Sequence, residues 1–169
     1  MWSRRLSAVL ILIMVLSCAG CLRWEGYSST LVKSFKKDVM HDFPEIQTFR
    51  VEYSPPMISF DFKVKSDTSK EKIIQIFKQT RTFFKSEEFQ KEFFGMYFTE
   101  FKESGYGDIK HYPEVAIAFD TDGDKVANYG YKSVYETIID PAKGNRIINY
   151  EVWILQKQDE SYETVDYYA

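Results

Sequence analysis

The stretch Ile58-Ser59-Phe60-Asp61-Phe62-Lys63-Val64-Lys65 decides the fold class. Apolar and polar residues alternate through it, and this period of two is typical of a β-strand with one buried face and one face in solvent. A second alternating run at residues 49–54 precedes it, and Pro55-Pro56 between the two runs favours a turn. The two runs therefore predict a β-hairpin.

Three segments around this hairpin carry apolar residues at helical spacing. The first is expected to begin at Ser28 or Ser29, whose hydroxyl can cap a helix, and to end before Pro44. The second begins with Thr68 as the predicted N-cap, and the third begins at Ser86. The apolar stripes of the three predicted helices are Leu31, Phe35, Val39 and Phe43; Ile73, Ile76, Phe77, Thr80 and Phe84; and Phe89, Phe93, Tyr97 and Phe101.

The C-terminal third predicts three further strands, at residues 114–120, 125–136 and 146–156. The element order is then α-β-β-α-α-β-β-β. Strands grouped in hairpins favour an antiparallel sheet of about five strands with about three helices packed on one face, which is the α+β class. We predict one compact globular domain over residues 28–157 and a loosely held acidic tail over residues 158–169.

Composition and charge exclude several classes of site and partner. The chain has 169 residues, and its two cysteines, Cys18 and Cys21, both lie near the N-terminus. A disulfide scaffold and a zinc site built on thiolates of the body are therefore excluded. The net charge is -3, and removal of Arg4 and Arg5 with a leader leaves 20 basic against 25 acidic residues, or -5. An acidic body argues against nucleic acid as a partner.

Residues 1–20 have the composition of a signal peptide. Arg4 and Arg5 form a short positive start, and Leu6–Leu16 is apolar apart from Ser7. This apolar stretch is shorter than the roughly 20 residues that a membrane-spanning helix needs. An uncleaved membrane helix is the alternative interpretation.

The sequence Leu16-Ser17-Cys18-Ala19-Gly20-Cys21 resembles the lipobox of bacterial lipoproteins, in which a cysteine after small residues is diacylated and becomes the new N-terminus. The resemblance implies lipid on Cys21 and a tether over residues 21–27. Cys18 stands where leucine is usual in the family, so lipid attachment to Cys18 is the alternative, and an ordinary secretory signal is another. Two acyl chains would anchor the protein stably on the extracytoplasmic face of the cell membrane. Composition favours a Gram-positive envelope.

The stretch Asp120-Thr121-Asp122-Gly123-Asp124 is the candidate metal site. Asp120, Asp122 and Asp124 resemble the opening of an EF-hand calcium loop, where alternate carboxylates bind a hard cation. The resemblance ends at Lys125 and Tyr131, which stand where glycine and a bidentate glutamate are expected. A polar turn between two strands is the alternative interpretation.

The sequence contains no recognisable catalytic motif. It has no Gly-x-Ser-x-Gly elbow, no His-Glu-x-x-His pair and no phosphate-binding loop. We therefore predict no catalytic residue and no cofactor other than calcium. Glycosidase chemistry needs only two carboxylates, so a hydrolase acting on envelope polymers is retained as a third hypothesis.

Aromatic residues recur on the predicted C-terminal strands, at Tyr129, Tyr131, Tyr135, Tyr150 and Trp153. Rings at strand spacing favour core positions over a recognition surface that stacks on sugars. Our first functional hypothesis is a non-catalytic, lipid-anchored envelope lipoprotein that binds a protein partner or an envelope component at the membrane surface. The second is a lipoprotein that binds calcium or a small ligand through the loop at Asp120–Asp124.

Overall fold

The computed structural model describes residues 24–103, 112–140, 144–157 and 161–165. The predicted leader at residues 1–20, together with Cys18 and Cys21, lies outside the described residues. Among the helices that are described, none combines the length and the apolar composition that a membrane span requires.

The described chain contains three helices and nine strands. The helices are α1 (Thr30–Asp42), α2 (Lys70–Phe84) and α3 (Glu87–Glu103). The strands are β1 (Glu25–Gly26), β2 (Ile46–Ser54), β3 (Met57–Val64), β4 (Glu114–Asp120), β5 (Tyr129–Ser133), β6 (Tyr135–Asp140), β7 (Gly144–Asn149), β8 (Trp153–Lys157) and β9 (Tyr162–Val165).

Seven of these strands form one sheet in the order β1-β2-β3-β4-β5-β8-β9, and β6 and β7 form a separate two-stranded ribbon. Every neighbouring pair is antiparallel except β3 and β4, which are parallel. Helices α2 and α3 connect β3 to β4, and parallel neighbours require such a crossover. The predicted α+β class with three helices is confirmed. The sheet has more strands than the five expected.

The helices cover one face of the sheet. On β3 the predicted apolar side is buried, and Phe60 has no exposed surface. Its ring lies 6.0 Å from Phe84 of α2 and 5.9 Å from Phe89 of α3, measured between centroids. Further along the sheet, Phe77 of α2 stacks on Tyr131 of β5 at 4.1 Å. Alternate apolar positions of the strands and the helix stripes therefore form one aromatic core.

The opposite face of the sheet carries the residues that alternate with this core, and we call it the open face. Its centre is formed by small side chains of three adjacent strands. The open face consists of Thr48, Arg50, Glu52, Ser59, Asp61, Lys63, Ala116, Ala118, Gly130, Lys132, Ile154 and Gln156.

The helix starts agree with the sequence to within one residue. Ser29 is the N-cap of α1, where its hydroxyl accepts a hydrogen bond from the Val32 amide at 3.2 Å. The predicted N-cap of α2, Thr68, is wrong by one position. Ser69 caps this helix, and the Thr68 hydroxyl instead donates to the Lys65 carbonyl at 2.6 Å.

Two of the predicted C-terminal strands are each divided in two. The predicted strand 125–136 starts too early, because Lys125 has a left-handed backbone with φ +70° and β5 begins only at Tyr129; Val134 then separates β5 from β6. In the predicted strand 146–156, Tyr150 has φ +52° and separates β7 from β8. A left-handed residue cannot continue a strand, and single-sequence alternation does not reveal it.

Both predicted domain boundaries need correction. The acidic stretch 158–169 is not wholly a loose tail, because Tyr162–Val165 pairs with β8 as strand β9. The predicted tether 21–27 is too long, because Glu25–Gly26 pairs with β2. The described domain therefore begins at least three residues earlier than residue 28.

Tyr27 fixes the N-terminal segment to the domain. Its amide donates to the Val51 carbonyl at 2.8 Å and its hydroxyl donates to Glu92 Oε1 of α3 at 2.7 Å. Its ring meets Phe93 edge-on at 5.2 Å. Burial of the phenol, and then the hydrogen bond to Glu92, raise the pKa of Tyr27 above its ordinary value, so the phenol remains a donor at neutral pH.

Candidate functional site

The three predicted calcium ligands lie together at the end of β4. Asp120 is the last residue of that strand, and Asp122 and Asp124 lie in the loop at residues 121–128. Each carboxylate offers one oxygen atom, and these three atoms lie within 4.8 Å of one another. The structure therefore brings the predicted ligands into the proximity that a shared cation requires.

The same carboxylates also hold the loop. The Gly123 amide donates to Asp120 Oδ1 at 2.6 Å, and the Val126 amide donates to Asp124 Oδ1 at 2.7 Å. Asn128 Nδ2 donates to Asp122 Oδ2 at 2.8 Å, and this bond lowers the pKa of Asp122. Gly123 has φ +85°, which favours glycine. The polar-turn interpretation therefore accounts for the loop geometry with the protein's own donors.

A positive charge lies beside this turn. A methyl group placed on Gly123 would lie 3.3 Å from Nζ of Lys63, so the ammonium group lies against the loop. Because like charges repel, this ammonium opposes a divalent cation at the three aspartates. Calcium binding at Asp120, Asp122 and Asp124 stays a prediction.

Calorimetry tests the calcium prediction directly. If the site operates, titration of the protein with millimolar calcium gives a heat of binding and raises the melting temperature, and Asp122→Asn weakens both effects because it removes one carboxylate charge. Lys63→Gln should strengthen binding, because it removes the opposing ammonium. Calcium binding is excluded if the native protein shows no heat and no change in melting temperature.

A cavity of about 420 Å³ lies next to the aspartate loop on the open face. Its lining residues come from strands β2, β3 and β4 and from the loop at residues 121–128. Its lining residues are Thr48, Arg50, Asp61, Phe62, Lys63, Ala118, Asp120, Lys125 and Ala127. We call it the charged cavity, because five of these side chains are ionisable.

A second cavity of about 330 Å³ lies on the other side of the same loop. Ala118 and Ala127 line both cavities, and Val126, which is 54% exposed, lines the second. The segment 125–127 therefore forms a ridge across the open face. Beside this ridge the surface of the sheet is recessed, because Ala116 and Gly130 lack large side chains.

Asp61 is a half-buried acid of the charged cavity. It lies opposite Arg50 across the β2–β3 pair, and the Ser59 hydroxyl donates to its Oδ1 at 2.6 Å. Burial raises the pKa of Asp61 above its ordinary value, while the Ser59 hydrogen bond lowers it. Glu52 also raises the pKa, and Arg50 lowers it. This carboxylate is therefore a half-buried hydrogen-bond acceptor that lines the charged cavity.

The aromatic residues of the C-terminal strands belong to the core, as predicted. Tyr131, Tyr150 and Trp153 are at most 1% exposed, and Tyr129 and Tyr135 pack against the core with part of their surface in solvent. Trp153 Nε1 donates to the Tyr150 carbonyl at 2.9 Å. These rings pack in or against the core and stabilise the sheet.

Sequence reasoning missed the charged cavity. The alternation in β3 correctly places Asp61 and Lys63 on the face opposite the core, but it does not identify the neighbouring strand. The parallel pairing of β3 with β4 puts Lys63 beside Asp120 and Asp61 beside Ala118. In the structure, charged side chains beside an alanine leave a cavity. The sequence does not show that these residues are neighbours.

Comparisons with protein-family models, with curated proteins and with solved structures find no match to this chain.

Proposed function

We propose that this protein is a non-catalytic, lipid-anchored lipoprotein of the cell envelope, whose domain binds an envelope component or protein partner through the open face of its sheet. The observation that carries the binding part is the pair of adjoining cavities on either side of the ridge at residues 125–127. Binding sites are concave, and together these cavities are in the size range of small-ligand pockets.

The anchoring part rests on the lipobox-like sequence that ends at Cys21. The docked segment at Glu25–Tyr27 adds a physical consequence. Only Leu22, Arg23 and Trp24 separate the proposed lipid site from β1, so the chain from Cys21 to Glu25 spans at most about 14 Å. An acyl group on Cys21 would therefore hold the domain directly against the lipid headgroups, where it meets ligands of the membrane surface.

Substitution of Ala118 with arginine tests the binding part. Ala118 lines both cavities, and on the open face a long side chain can extend into solvent without entering the core. The tagged full-length protein is purified from detergent-solubilised native membranes, and bound material is identified by mass spectrometry. We expect Ala118→Arg to reduce recovery of a specific component at least about tenfold, because a filled site loses its ligand contacts.

The matched control places the same charge and size on the helical side of the domain. Ser34→Arg lies at an exposed position of α1 and should leave recovery unchanged. A version without residues 1–21 reports whether recovery depends on anchoring. Equal recovery with Ala118→Arg and with the native chain would overturn the assignment of the open face.

A further inference from the structure

We propose that the charged cavity binds the phosphate group of a sugar phosphate or polyol phosphate, with Arg50, Lys63 and Lys125 contacting the phosphate and Asp61 accepting a hydrogen bond from a ligand hydroxyl. This inference deepens the proposed function and rests on it for the claim that the ligand belongs to the envelope. The binding chemistry itself rests on the residues of the cavity.

Strand register places these groups within reach of one small ligand. Arg50, Asp61 and Ala118 are direct neighbours across β2, β3 and β4, and Thr48, Lys63 and Asp120 are neighbours in the adjacent row. Neighbouring strands are about 4.8 Å apart, so each row of three spans roughly 10 Å. Ala118 contributes only a methyl group, which leaves space for a ligand beside Asp61.

The cations of the cavity are available for an anion. Three positive side chains and two negative ones line it. Within the described parts of the chain, neither Lys63 nor Lys125 forms an ion pair, and Arg50 reaches only Glu52, at 3.7 Å. Asp120 is engaged in its own turn through the Gly123 amide. A phosphate can therefore contact a guanidinium and two ammonium groups without first breaking a close ion pair within the cavity.

Asp61 supplies the selectivity for a hydroxyl-bearing ligand. Ser59 donates to one carboxylate oxygen, and the other oxygen can accept from a ligand O–H group. Inorganic phosphate carries its O–H groups on the anion itself, so it cannot place the anion on the cations and a separate hydroxyl group on Asp61. A polyol or sugar phosphate offers the anion and the donor together, so both kinds of side chain in the cavity are satisfied.

Lys125 is held over the cavity by an uncommon backbone conformation. Its φ of +70° is rare for a residue with a side chain and costs roughly 1 kcal/mol. The loop hydrogen bond from the Val126 amide to Asp124 supports this geometry. Strained positions of this kind cluster at ligand sites, and here the strain directs a cation into the cavity.

Isothermal titration calorimetry on the full chain in nonionic detergent tests the assignment, with glycerol 1-phosphate as the probe and glycerol and inorganic phosphate as matched controls. We expect glycerol 1-phosphate to bind more tightly than either control. Lys63→Gln should weaken its binding about tenfold, because one charge-assisted contact is lost. Lys91→Gln removes the same charge from exposed α3 and should have no effect. Asp61→Asn should reduce the preference of the protein for glycerol 1-phosphate over inorganic phosphate.

Nanodiscs distinguish the two sources of such a phosphate. If a lipid headgroup occupies the site, phosphatidylglycerol in the disc weakens binding of soluble glycerol 1-phosphate relative to phosphatidylcholine. If a soluble or polymeric polyol phosphate is the ligand, the two discs give the same affinity, and either result supports the site.

Absence of glycerol 1-phosphate binding at 10 mM, or equal binding by native protein and Lys63→Gln, overturns the proposed phosphate site. Neither of these two results bears on lipidation of Cys21, so the phosphate site and the lipid anchor can be disproved independently.

Discussion

Replacing Phe77 with alanine is expected to lower the free energy of unfolding by about 3 to 5 kcal/mol, since truncation of a buried phenylalanine loses its transfer energy and leaves a cavity. Phe77 has no exposed surface, stacks on Tyr131 at 4.1 Å and meets Trp153 edge-on at 5.1 Å. It therefore joins α2 to two strands of the sheet. Denaturant unfolding of the full chain in nonionic detergent, followed by circular dichroism, measures the loss.

Two variants define the scale for that experiment. Phe77→Leu keeps most of the volume and should cost clearly less than the alanine variant. Ile154→Ala removes a large apolar side chain that is 43% exposed on the open face, and it should cost under about 1 kcal/mol. If Phe77→Ala cost no more than Ile154→Ala, the described packing of α2 on the sheet would be contradicted.

Replacing Cys21 with alanine is expected to release the protein from the membrane or to leave its leader uncut, because the proposed acyl chains have no other attachment point. Two acyl chains anchor stably and one anchors marginally, so the membrane-bound fraction of the leader-free protein should fall from nearly all of it to a small part, and any variant protein that stays in the membrane should still carry its leader. Fractionation of cells into membrane and soluble material, with immunodetection of the domain, measures this change.

Cys18→Ala is the matched control, because it changes the other cysteine three positions away. If Cys21 carries the lipid, Cys18→Ala leaves the protein in the membrane fraction. The reverse pattern would assign the lipid to Cys18. If both single variants stayed in the membrane with the leader removed, neither cysteine alone would be the required lipid site, and a double variant would show whether either one anchors the protein.

The parts of the fold that were predictable are those fixed by local pattern. In β3 the alternation through Phe60 and Phe62 identifies the buried side directly, because a strand presents a period of two. The Ser29 cap of α1 was equally predictable from the sequence, since a hydroxyl before an apolar helical stripe has few other roles. These features depend on neighbours in sequence.

The remaining features depend on neighbours in space. The parallel pairing of β3 with β4 follows from the path of α2 and α3, and nothing in the β3 pattern distinguishes it from antiparallel pairing. The left-handed residues Lys125 and Tyr150 are not glycines, so their sequence gives no sign that a strand is interrupted. The charged cavity depends on the parallel pairing and on the loop at Lys125, and for this reason Asp120 alone among its lining residues was identified as a site residue from the sequence.

The measurement that tests the anchoring claim most directly is the mass of the N-terminal tryptic peptide of the protein purified from native membranes. Trypsin cleaves after Arg23, so cleavage before Cys21 and diacylation predict a peptide Cys21-Leu22-Arg23 that carries lipid. The lipid adds its full mass to this short peptide, and mild alkaline hydrolysis should remove the ester-linked chains. Recovery of the same peptide without lipid, or of a chain that still carries residues 1–20, would contradict a lipid-anchored protein.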